Sequence, residues 1–259
     1  MRCVHMSGAG NDFMVIDGRG EELDYPILAQ ELCAMTGADG FMALDNSEKA
    51  DFRLHFYNAD GSRGEMCGNG SRCICKFAYD LGIVSEEMTI ETDAGIVSGW
   101  RIGENLYRVR LTRPTDIDLE AKPGVAYAIC GVPHATVEVP DLSWDQKEEL
   151  RDMAKSLRFD PIFPKGTNVD FYTWLDDTTV RILSYERGVE DYTLACGTGC
   201  GALTAILYTL GSLPGKKLTA INPGGTLSVT VEEQGGLISG LLLEGPAELV
   251  ETLEIPENG

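Results

Sequence analysis

The sequence is short of positive charge, of histidine and of long apolar runs. Its 21 Lys and Arg stand against 41 Asp and Glu, a formal net charge of −20. Such a surface repels phosphate backbones and anionic lipid, so neither nucleic acid nor a membrane is an expected partner. No apolar run reaches the roughly 18 residues that a membrane-crossing helix needs. The opening residues MRCVHMSGAGNDF hold no signal-peptide core. With three histidines, and with no paired Cys-x-x-Cys among eight cysteines, no metal is expected. Walker and dinucleotide glycine spacings are missing, and no cofactor is expected. Cysteines without a secretory signal point to reduced thiols in the cytoplasm.

What the sequence does contain is a repeat. CGNG begins at Cys67 and CGTG at Cys196, 129 residues apart in a chain of 259. Behind Cys67, apolar residues fall at Ile74, Phe77, Ala78 and Leu81; behind Cys196 they fall at Leu203, Ile206, Leu207 and Leu210. The offsets match, and their spacing is one face of an α-helix. Each helix should stop at a glycine at the same offset, Gly82 or Gly211. Alternating segments precede the cysteines (FRLHFY, VRILSY) and follow the helices (MTIET, KLTAI, then GIVSGWRI, LYRVRL, TLSVTVE and LISGLLLE), and these read as strands. GALTAILYTLG is apolar nearly all round, which suits a helix enclosed by a sheet. Residues 142–157 read as a separate amphipathic helix with a cap signal at Ser143 and Asp145.

Of the eight cysteines, only Cys67 and Cys196 occupy equivalent places in the repeat. A cysteine at a helix mouth lies in a positive field that favours the thiolate. The adjoining N–H groups can hold a carboxylate. Two such mouths on either side of one small acid could move protons on opposite faces of one carbon, taking one from the first face and returning one to the second. Cys3 and Cys33 read instead as small core residues.

These residues resemble the diaminopimelate epimerase family essentially end to end. The markers are GAGNDF (8–13), GADG (37–40), NADGS (58–62), CGNGSRC (67–73), PH (133–134), GTNVDF (166–171), YERG (185–188) and ACGTG (195–199). The resemblance implies cofactor-independent interconversion of LL- and meso-2,6-diaminopimelate for lysine and peptidoglycan precursors, with Cys67 and Cys196 as the acid/base pair. It implies that Gly68, Asn69, Gly197 and Thr198 hold the reacting carboxylate and that Asn11 lines the reacting end. Asn58, Asn168, Arg187 and the Glu186 backbone would bind the distal amino acid end. His134 and Glu186 would tune the protonation of the thiols. One position departs from the pattern: GVPH (131–134) places Val132 where the family commonly has asparagine, which removes one polar contact from the distal end.

The implied fold is α/β in the α+β sense: two pseudo-symmetric domains, each a curled, mostly antiparallel sheet or barrel around a central helix. The expected division is 1–115, completed by a closing strand at 246–259, and 116–245. A small amino acid is the expected partner, and a homodimer is expected although no residue pattern fixes it. Three other readings compete: a racemase for another amino acid, a thiol redox or metal-binding protein, and a non-catalytic binding protein.

Overall fold

Alternation dictates the strands. In the computed structural model, Phe52 and Leu54 of one strand are buried while Arg53 and His55, which alternate with them, stay partly open to water. The structure describes residues 1–64 and 67–255; the end of the expected closing strand, 256–259, lies outside them. The chain divides into two compact units, Met1–Val109 with the chain from Gly245 on, and Arg110–Glu244.

The first unit runs β1 (Arg2–Gly8), β2 (Asn11–Asp17), α1 (Tyr25–Thr36), β3 (Gly40–Asp45), β4 (Phe52–Asn58), α2 (Gly68–Asp80), β5 (Glu87–Thr92), β6 (Gly95–Arg101) and β7 (Leu106–Leu111). Antiparallel hairpins join β1 to β2, β3 to β4 and β5 to β6. The two helical crossovers make parallel pairs, β2 with β3 across α1 and β4 with β5 across α2.

The second unit repeats this plan. Its elements are β8 (Thr115–Lys122), β9 (Val125–Cys130), β10 (Val132–Glu138), a 3₁₀ turn (Trp144–Gln146), α3 (Lys147–Arg158), β11 (Asn168–Asp176), β12 (Thr179–Glu186), β13 (Asp191–Tyr192), α4 (Gly197–Leu210), β14 (Lys217–Asn222), β15 (Gly225–Gln234) and β16 (Leu237–Pro246). Here β10 pairs parallel with β11 across α3, and β12 with β14 across α4. The last strand of the described residues is β17 (Glu248–Glu254), which lies antiparallel to β1 as β8 does to β9.

Each unit encloses one helix. Residues 68–75 of α2 are all buried, and α2 packs against β1, β2, β3 and β6. In α4 every residue from Gly199 to Leu207 is buried, and α4 packs against β8, β9, β10, β11, β14 and β15. A helix apolar nearly all round, as α4 is, belongs inside a core, and here strands supply it. Both helices stop where the sequence places a glycine, with left-handed φ of 69° at Gly82 and 74° at Gly211.

Two expectations change. The helix expected over 142–157 starts later: Ser143 caps a 3₁₀ turn through a capping box with Gln146, and the α-helix proper begins at Lys147. Nor is this helix separate. It is the counterpart of α1. In α1, Tyr25, Leu28, Ala29, Leu32 and Cys33 form the packed face, Asp24 accepts a hydrogen bond from the Ile27 N–H at 3.2 Å, Pro26 lies in the first turn, and Gly37 closes the helix with φ of 77°.

Candidate active site

Both repeat cysteines are helix N-caps in extended geometry, Cys67 with φ −105° and ψ 122°, Cys196 with φ −114° and ψ 105°. Their carbonyls open the helical ladders by accepting from Ser71 N–H at 2.7 Å and Cys200 N–H at 3.0 Å. The first-turn N–H groups of an α-helix have no intrahelical acceptor, so each mouth offers donors to an anion. Gly68 and Asn69 in α2, and Gly197 and Thr198 in α4, supply those positions.

In the first unit the α2 mouth is built on a chain of amides. Asn69 Nδ2 donates to Asn11 Oδ1 at 3.0 Å, and Asn11 Nδ2 donates to Asp39 Oδ2 at 2.6 Å. Asp39 also accepts the Asp12 N–H at 2.9 Å. Asn58 is not part of this chain. It is the last residue of β4 and donates through Nδ2 to Ser62 Oγ, in the turn that follows, at 2.9 Å.

In the second unit, strand register gathers the site. Parallel pairing sets His134 beside Asn168, and the antiparallel pair Val169–Tyr185 brings Glu186 and Arg187 to the same sheet end. His134 and Asp170 are both fully buried, with Nδ1 to Oδ2 at 2.7 Å. A carboxylate only accepts, so the imidazole carries its proton on Nδ1. Nε2 lies 3.0 Å from Thr198 Oγ1, and that hydroxyl lies 3.5 Å from Cys196 Sγ. Asn168 Oδ1 accepts the Arg187 N–H at 2.7 Å, and the Arg187 guanidinium donates to the Lys165 carbonyl at 2.7 Å. Thr193 donates to Glu186 Oε1 at 2.5 Å.

The electrostatics of Cys196 reverse the expectation for a cysteine at a helix mouth. Burial pushes its thiol well above the ordinary value, and the carboxylates of Glu186 and Asp170 push in the same direction. The Thr198 hydroxyl and the Gly199 N–H oppose this and lose. Burial also raises the Glu186 carboxyl. Desolvation and like charge outweigh the helix field here and favour the neutral thiol at Cys196.

Asp170, Ser184 and Thr193 belong to this constellation although no motif reading singles them out. Ser184 donates to Asp170 Oδ1 at 2.6 Å. An aspartate in the middle of the buried strand segment NVDFYT is the signal that marks it, because a buried carboxylate requires partners. Among the described residues, no three His, Cys, Asp or Glu side chains converge as a metal site.

The fold has known relatives. The structure resembles a PhzF-family phenazine biosynthesis protein from Bacillus anthracis, with a TM-score of 0.77 at 16% identity over 99% of each chain. It also resembles a hydroxyproline epimerase from Agrobacterium vitis, with a TM-score of 0.74 at 18% identity over 98% of this chain and 90% of that one. The fold these proteins share is thus the fold of this chain. The sequence model of diaminopimelate epimerase matches residues 3–112 and 126–250. Diaminopimelate epimerase of Aquifex aeolicus is 37% identical over 85% of this chain and 86% of its own length. That of Chlorobaculum tepidum is 36% identical over 95% and 97%. The chain belongs to the diaminopimelate epimerase family, a family of isomerases.

Proposed function

We propose that this protein interconverts LL- and meso-2,6-diaminopimelate by a two-base mechanism, without a cofactor, in the supply of lysine and peptidoglycan precursors. The observation that carries the reading is the duplicated helix mouth, a cysteine N-cap followed by glycine-flanked N–H donors, in a chain 37% identical to a diaminopimelate epimerase. Epimerisation removes a proton from one face of the α-carbon and returns one to the other. One thiol must therefore begin ionised and the other neutral. The setting of Cys196 beside Glu186 and Asp170 suits the neutral acid, which leaves Cys67 as the base. Cys67 takes the α-proton, the charge spreads onto the substrate carboxylate, and Cys196 delivers its S–H proton to the opposite face. The N–H donors of Gly68, Asn69, Gly197 and Thr198 hold that carboxylate, and each such donor contributes roughly 10²–10³ in rate where it meets developing charge.

His134 and Glu186 set the charge state of the acid thiol. After one turnover Cys196 is left as the thiolate and Cys67 as the thiol, so Cys196 must gain a proton and Cys67 lose one before the next. The contact series Cys196–Thr198–His134–Asp170 is the polar network beside Cys196 where its proton exchange takes place. Arg187, with Asn168 fixing its backbone, and Asn58 receive the distal amino acid end, while Asn11 lines the reacting end. The reduced thiols fit work in the cytoplasm, and a homodimer is the assembly that goes with this reading.

Proton NMR of LL-diaminopimelate in D2O tests the reading, with Cys67→Ala and Cys196→Ala as controls. The α-proton signal should fade as the meso isomer grows, and neither variant should do this. Val132, at the start of β10 two residues before His134, favours one further candidate, a racemase whose substrate needs fewer polar contacts at its far end. Exchange on another amino acid but not on diaminopimelate would select that candidate. No exchange on any amino acid would reject both.

A further inference from the structure

The chain enters both helix mouths by the same kind of turn. Tyr57 and Tyr185 hold equivalent places in the segments FRLHFY and VRILSY. In each unit the chain folds back after that tyrosine and pairs with it on the way to the cysteine. Tyr57 pairs antiparallel with Arg63, four residues before Cys67, and Tyr185 pairs antiparallel with Tyr192, four residues before Cys196. The hairpin turn that follows the central helix then takes hold of the segment. In the second unit the β14–β15 turn does so through main chain, Gly224 N–H donating to Leu194 O at 2.7 Å. In the first unit the β5–β6 turn holds Arg63 by a side chain. Arg63 Nε donates to Asp93 Oδ2 at 2.5 Å, and its NH2 donates to Asp93 Oδ1 at 3.1 Å.

Exposed ion pairs usually contribute little, because two side chains give up freedom for a weak attraction in water. This pair has two features that strengthen it. Its fork geometry gives two parallel charge-assisted bonds. It also belongs to a network: the Arg63 guanidinium lies 5.6 Å from the centre of the Tyr57 ring and 3.4 Å from His55 Nδ1, and Arg53 NH2 lies 3.4 Å from Asp93 Oδ1. The hydrogen bond from Arg63 holds the Asp93 carboxyl below its ordinary value.

The segment held in this way is tied within itself by short-range bonds. Asn58 N–H donates to Ser62 O at 2.9 Å, Gly61 N–H to Asn58 O at 3.0 Å, and Gly64 N–H to Phe56 O at 3.0 Å. Gln30 Nε2, from α1, anchors its tip at Asp60 O at 2.7 Å. Arg63 anchors the side nearer Cys67.

We propose that Arg63 and Asp93 are positioning residues of the Cys67 half-site. Their ion pair ties down the segment that starts at Asn58, where the distal end of the substrate is received, and leads to Cys67, the base. This inference rests on the two-base reading above. The tie keeps the segment ready for substrate before substrate arrives. Without it, part of the binding free energy goes into ordering the segment, so KM rises while the rate at saturation is kept.

The test combines steady-state kinetics on LL-diaminopimelate with backbone amide exchange, read by peptide mass spectrometry on the whole protein. Arg63→Ala and Asp93→Ala should each raise KM by about fivefold and leave kcat within about twofold. The double variant should match either single one, because the same pair is lost in all three. At about 1 M salt the wild-type and variant KM values should converge. A variant that is merely less stable would lose kcat through its inactive fraction and keep its KM. That pattern, an unchanged KM, or additive effects in the double variant overturns the proposal. Amide exchange needs no substrate. The peptide spanning residues 56–64 should exchange faster in both single variants, and the peptide containing Gly224 should not change. Equal exchange of the 56–64 peptide in wild type and variants overturns the proposal whatever the kinetics. If wild-type protein exchanges no α-proton, the epimerase reading fails while the tie is still measured by amide exchange.

Discussion

Asp170 holds His134 through a 2.7 Å contact to Nδ1, with both side chains fully buried. This contact fixes the tautomer, and the tautomer makes Nε2 an acceptor toward the Thr198 hydroxyl and, through it, toward Cys196. Asp170→Asn keeps the shape but removes the charge and lets the ring invert its tautomer. Epimerase activity should fall by roughly 10²–10⁴. Steady-state assays with circular dichroism on the same samples check this, and near-normal activity in a folded variant would remove Asp170 from the proton route.

Glu186 pits activity against stability. Burial raises its carboxyl, so folding favours the protonated form. The stability it contributes is complete below the unfolded carboxyl value and is lost as pH rises through the folded one. Glu186→Gln should therefore melt higher than wild type at neutral pH, and the difference should close on acidification. Activity should drop by roughly 10²-fold or more, because the thiol loses its partner. Melting curves at neutral and acidic pH decide it; a variant that melts lower than wild type at neutral pH contradicts the argument.

The third residue beyond each cysteine is glycine, and the two should respond in opposite ways to alanine. A Cβ at Gly199 would lie 2.5 Å from Asp170 Oδ1, whereas one at Gly70 would meet Met42 Sδ at 3.2 Å. Alanine gains up to about 1 kcal/mol of helix propensity at either site. At Gly199 that gain is outweighed by an overlap costing about 1–3 kcal/mol, because the carboxylate is pinned by His134 and Ser184. At Gly70 a flexible thioether yields. Chemical denaturation should show Gly199→Ala destabilised and Gly70→Ala within about 1 kcal/mol of wild type.

The buried thiols limit stability in alkali. Burial pushes Cys3, Cys73 and Cys130 from the ordinary 9.0 up to about 12. For a group raised in the folded state, stability is full below the unfolded value and declines as pH climbs through the folded one. The melting temperature should thus fall progressively above about pH 9. Cys130→Ala, with one such thiol fewer, should show a shallower fall. Parallel slopes would show that thiol burial is not the cause.

The sequence by itself determined the repeated strand–helix–strand plan and the two cysteines at its helix mouths. Both are written in local patterns: alternation for strands such as β4 and β12, 3.6-residue spacing for α2 and α4, and glycine stops at Gly82 and Gly211. Period and chirality act over a few residues, so they can be read without knowing the fold. It left α1 unread although Tyr25, Leu28, Ala29, Leu32 and Cys33 fall at helical spacing between Asp24 and Gly37, because the exposed apolar residues Ile27 and Met35 blur that face. Tertiary structure decided the rest. Asp170 lies a long way from Cys196 along the chain and reaches it only through the register of β10, β11 and β12. Arg63 reads as an ordinary surface cation by type until its pairing with Asp93 is seen. Whether a cysteine at a helix start is acid or base depends on what lies around it. For Cys196 those neighbours are carboxylates brought in by strands, and desolvation and Coulomb interaction depend on distance in space rather than on position in the chain.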